Sequence, residues 1–121
     1  MKWFVLLNAI IEIAAGLVFM FMPSLIPGFE SADAQAHVVC RMYGAAALAL
    51  GWYALLVFLH FAEGPFRGFL KTFTVFHLGV ALANFHGMQA GLNDSMGALG
   101  FHGVLGVICL ILLLTRRKQI V

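Results

Sequence analysis

Apolar residues run along the chain in four long blocks, 3–22, 38–60, 69–88 and 96–114, and most charged residues fall between these blocks or at their ends. An α-helix rises 1.5 Å per residue, so about 20 apolar residues cross the roughly 30 Å hydrocarbon core of a bilayer. Each block is therefore predicted to be one transmembrane helix. The intervening segments carry helix breakers: Pro23 and Pro27-Gly28, then Gly64-Pro65, then Gly91-Leu92-Asn93-Asp94. The pattern predicts an all-α polytopic membrane protein, a four-helix bundle with short loops in which residues 1–121 form one domain. The first block also resembles a signal peptide, because Lys2 precedes it and 32–36 offers Ala-x-Ala patterns. Its length, and the Asn8 and Glu12 within it, favour a first transmembrane helix.

Composition agrees with lipid as the solvent. The chain is 63% hydrophobic and 10% charged, against about 45–50% and about 25% in soluble domains. With a net charge of +2, largely from Arg116-Arg117-Lys118, it is a poor match to nucleic acid. Membrane lipids are the expected surroundings. Basic residues mark the side of the membrane instead. Lys2, Arg67 with Lys71, and 116–118 fall on one side of the predicted spans, while Glu30, Asp33 and Asp94 fall on the other. Both termini are thus expected to be cytoplasmic, in a bacterial inner membrane. Cys40 and Cys109 stand far apart, outside any Cys-x-x-Cys or zinc-ligand spacing, and read as packing thiols.

Lipid supplies no hydrophobic drive between helices, so small residues that let backbones approach mark the helix contacts. Gly44, Ala45, Ala46, Ala47, Ala49 and Gly51 supply them in the second block, and Ala15 and Gly16 in the first. Gly79, Ala81 and Ala83 continue the pattern in the third. Gly97, Gly100, Gly103 and Gly106 recur at every third position of the fourth, which predicts a tight contact there.

An ionisable group inside a span costs at least about 2.5 kcal/mol unless it finds a partner, and so invites a functional hypothesis. Glu12 and His77 are predicted near the midplane of the first and third helices, each with an amide on its own face: Asn8 one turn before Glu12, and Asn84 two turns after His77. These four residues form a candidate track for a proton or a cation. The same pair read structurally would fix helix register. Phe-His-Gly occurs twice, at 85–87 and 101–103, which suggests His86 and His102 as neighbours able to ligate haem or a metal ion. His77 and His86 are nine residues apart, about 900° of helix, hence on opposite sides. If His77 faces inward, His86 faces a neighbouring chain, headgroups or water. Arg41 lies about one turn inside the second helix, where its side chain snorkels outward. Turned inward, it would bind an anionic group near Tyr43 and His37.

Four helices in a chain of this length, a first helix closing with Phe21-Met22-Pro23, and Arg41-Met42-Tyr43-Gly44-Ala45 opening a small-residue second helix together resemble the DoxX-like family of small membrane proteins. The resemblance implies the four-helix fold. Its members include proteins linked to sulfur or redox metabolism, so it implies no particular chemistry. Small multidrug-resistance transporters also carry a glutamate in the first of four helices, but 8–13 does not reproduce their pattern.

Neither a nucleophile-and-base spacing nor a glycine-rich phosphate loop is present, which argues against soluble-type hydrolase or kinase chemistry. The leading expectation is a non-enzymatic integral membrane protein, acting as a homo-oligomer or as an accessory subunit of a membrane complex. A small proton-coupled transporter using Glu12 and His77 is one alternative. A redox protein binding haem or quinone through His86 and His102 is another.

Overall fold

A computed structural model describes residues 1–27, 29, 31–92 and 96–116. Among them every regular element is helical, in the order α1 (Lys2–Phe21), a 3₁₀ turn (Pro23–Leu25), α2 (Ala34–Leu59), α3 (Glu63–Gln89) and α4 (Met96–Thr115). All four α-helices are long and apolar enough to cross a membrane. They divide into two compact hairpins, residues 1–62 and 63–121, in which α1 packs on α2 and α3 packs on α4. Large apolar side chains such as Trp3, Ile10, Trp52, Val75, Leu82 and Val104 are exposed along the helices.

Two helix starts differ from the sequence expectation. α2 begins at Ala34, ahead of the apolar block, because the Asp33 carboxylate accepts a hydrogen bond from the Ala36 amide at 2.8 Å, a cap that contributes on the order of 1 kcal/mol. His37, in the same turn, donates from Nε2 to the Phe29 carbonyl at 3.1 Å and ties down the preceding loop. α3 begins at Glu63 and takes Gly64-Pro65 into its first turn rather than leaving them as a linker. The amides of a first turn have no intrahelical partner, so proline's missing N–H removes nothing there. Pro23 likewise opens the 3₁₀ turn.

α3 closes as a Schellman turn. The Leu92 amide donates to the Gly87 carbonyl and the Gly91 amide to the Met88 carbonyl, with Gly91 at φ 67°. Of the expected turn residues and flanking charges, Gly28, Glu30, Asn93, Asp94, Arg117 and Lys118 lie outside the described residues.

Glycine sets the approach of α1 to α2. A Cβ on Gly44 would sit 2.7 Å from the Met20 amide nitrogen, and one on Gly16 would sit 2.8 Å from that of Leu48. Gly51 meets Ile13 as closely. In α4 only the last of the four regularly spaced glycines behaves this way: Gly106 abuts Leu78, whereas Gly97, Gly100 and Gly103 have nothing within 4 Å of a Cβ. Three residues advance a helix by about 300°, so each such step slips back about 60° and the glycines fan around the helix instead of lining one side. Gly79 is likewise open.

At the base of the second hairpin, the Arg116 guanidinium donates to the Glu63 carboxylate at 3.2 Å and lies 5.1 Å from the Phe66 ring centroid. Exposure of the pair limits its contribution to about 0.5 kcal/mol.

Candidate functional site

In the second hairpin the buried face of α3 is a column of aromatic rings at helical spacing. Phe66, Phe69 and Phe73 are fully buried; the Phe69 and Phe73 centroids are 4.3 Å apart, and Phe73 meets His77 edge-on at 5.5 Å. His77 is fully buried at the end of this column. Across the helix pair its Nδ1 lies 2.8 Å from Nδ1 of His102 on α4. Phe76 is 5.2 Å from the His77 ring and 6.0 Å from the His102 ring, and Phe101 packs edge-on against His102. Two imidazoles from facing helices thus meet within an apolar, aromatic shell.

The bridge constrains the protons. One Nδ1 must donate and the other must accept, so in the neutral pair one ring carries its hydrogen on Nδ1 and the other on Nε2. A proton added to the pair leaves an imidazolium donating to an imidazole, a stronger charge-assisted bond. A second added proton would set two N–H groups against each other and break the bridge. The bridge can therefore accommodate at most one proton beyond the neutral state of the pair.

The expected partnership of His86 with His102 is replaced by that of His77 with His102. Gly106 abuts Leu78, so His77 sits about one turn deeper than His102, and the two rings close that gap. The same register sets His86 level with the beginning of α4, where it is exposed beside Phe85. Nitrogens 2.8 Å apart are at hydrogen-bonding distance.

No family model, curated protein or solved structure matches the chain. The geometry of its own residues is what bears on function. Among the described residues, no group of three or more His, Cys, Asp or Glu side chains is arranged to hold a metal ion. Cys40 and Cys109 are buried, free thiols, one in each hairpin.

The remaining candidates are distributed between the hairpins. Asn84, on α3, is half-buried and donates to the Val80 carbonyl one turn earlier at 2.9 Å. Thr74, beside the aromatic column, does the same to Leu70. In the first hairpin, Asn8 and Glu12 are 1% and 2% exposed on the packed face of α1. Asn8 Nδ2 donates to the Phe4 carbonyl at 2.8 Å, while its Oδ1 is buried with no hydrogen-bond partner among the described residues. Tyr43 of α2 packs edge-on to Phe19 at 5.0 Å and interacts electrostatically with Glu12. Arg41 is exposed near the start of α2.

Proposed function

We propose that this protein is a small integral membrane protein that exchanges protons within the bilayer through the His77–His102 pair. The Nδ1 to Nδ1 contact of 2.8 Å carries the reading. A proton arriving at Nε2 of the ring that donates the bridge lets the bridging proton shift to the second ring, which then releases its own Nε2 proton. One proton enters and one leaves.

Four helices of spanning length support residence in a membrane, and the basic residues Lys2, Arg67, Lys71 and Arg116 support cytoplasmic termini. A bacterial inner membrane fits this arrangement.

Purified protein in liposomes carrying a trapped pH indicator tests the reading under an imposed pH gradient. Wild type is expected to dissipate the gradient, and His77→Leu and His102→Leu each to slow dissipation by about a hundredfold, the smaller end of what a positioned acid or base contributes. Wild-type liposomes no faster than protein-free ones, or variants as fast as wild type, would defeat it.

A second reading, a homo-oligomer or accessory subunit, draws on α4. Its buried residues are Gly106 and Cys109 alone, and Gly97, Gly100 and Gly103 leave its backbone open to close approach. Single-molecule photobleaching in lipid nanodiscs is then expected to show more than one copy per particle in wild type and one in Gly100→Leu. One copy in both would remove the self-association.

A further inference from the structure

We propose that Asn8 and Glu12 form a second proton-binding site, in the first hairpin, in which the Glu12 carboxyl takes up a proton and presents it to Asn8 Oδ1. The Asn8 amide carries the argument. Its two ends are distinguishable, because only the NH₂ end can donate to the Phe4 carbonyl, and that bond, at 2.8 Å, fixes which way the amide points. The oxygen left over is buried and has no partner among the described residues. A buried acceptor without a donor costs roughly 1–3 kcal/mol, and in hydrocarbon no water repays it.

Glu12 stands one turn further along the same face, 2% exposed. Ionised, a carboxylate offers only further acceptors. Protonated, it gains an O–H that an acceptor such as Asn8 Oδ1 completes. Uptake forms that O–H from a carboxylate lone pair, and release returns the proton alone, so the site changes by one charge and no electrons. Of the elements packed on α1, the 3₁₀ turn carries no ionisable side chain, and α2 carries the half-buried His37, Tyr43 and Tyr53, the buried thiol Cys40 and the exposed Arg41; of these, Tyr43 interacts electrostatically with Glu12. Backbone packing leaves little slack around the site, since Gly51 of α2 closes against Ala9 and Ile13 on either side of the turn between Asn8 and Glu12.

Infrared spectroscopy of the intact protein in liposomes reads this site directly through the C=O stretch of a protonated carboxyl. That band is expected in wild type at neutral and mildly acid pH and lost in Glu12→Gln. In Asn8→Leu it is expected to move to higher frequency, because the acid has lost its acceptor. A spectrum with no band that Glu12→Gln removes overturns the proposal, as does a band that Asn8→Leu leaves in place. Dicyclohexylcarbodiimide, which attacks protonated carboxyls in apolar surroundings, supplies a measurement on wild type alone should Asn8→Leu fail to fold. Peptide mapping is expected to find Glu12 modified; an unmodified Glu12 overturns the site. Neither measurement depends on the histidines, so failure here is distinct from failure of the flux assay.

Discussion

Gly44→Val is expected to destabilise the first hairpin by about 2–3 kcal/mol, the range for forcing a side chain into a filled space. The magnitude follows from what the new Cβ would meet: the Met20 nitrogen at 2.7 Å, the Gly16 oxygen at 2.9 Å and the Phe19 carbonyl carbon at 3.0 Å. All three are backbone atoms and cannot rotate aside. α1 and α2 would have to part, loosening the Gly16 contact with Leu48 and the Phe19–Tyr43 ring pair together. Gly79→Val is the matched control, because a Cβ there has nothing within 4 Å, and it is expected to change stability by no more than about 0.5 kcal/mol. Reversible unfolding in mixed micelles measures both. Equal costs at the two positions would mean that backbone proximity at Gly44 does not hold the hairpin.

Removing one histidine of the pair is expected to cost more than removing both. His102→Leu leaves the His77 Nδ1 facing an alkyl group in a buried site, at a cost of roughly 1–2 kcal/mol given the modest value of side-chain hydrogen bonds inside membranes. His77→Leu removes the partner of His102, which is only half-buried, at a smaller cost. The double variant substitutes two apolar side chains in an aromatic shell and leaves no orphaned nitrogen, so its stability is expected to return to within about 0.5 kcal/mol of wild type. Additive losses in this cycle would show that the rings do not depend on each other. A double variant that is stable yet inactive in the proton-flux assay would separate the chemistry of the pair from its packing.

The four helices were legible in the sequence because length and apolarity alone decide whether a segment can cross a bilayer. Their beginnings were less so. Apolarity says nothing about Asp33, whose cap starts α2 ahead of its apolar block, or about Pro65, which a first turn accepts though a helix interior would not. Burial of Asn8, Glu12 and His77 accords with their placement within apolar spans, where a polar side chain needs a partner. The bond between His77 and His102 was not. It depends on how far α4 slides along α3, which the close contact of Gly106 with Leu78 expresses, and a repeated Phe-His-Gly tripeptide points to His86 instead. Equal spacing of the α4 glycines misled for a related reason: regularity in sequence is not coincidence in angle on a helix.

A bridge between like atoms has a memory. In the proposed exchange, each passage of a proton through the His77–His102 contact would exchange the tautomers of the two rings, so that the ring able to receive at Nε2 becomes the one just loaded there. A second proton travelling the same way finds no vacant nitrogen until the pair is restored, either by a ring turning over or by a proton returning. Packing of Phe73, Phe76 and Phe101 around the imidazoles opposes the turning. In the proposed exchange the pair would therefore alternate, one proton per reset.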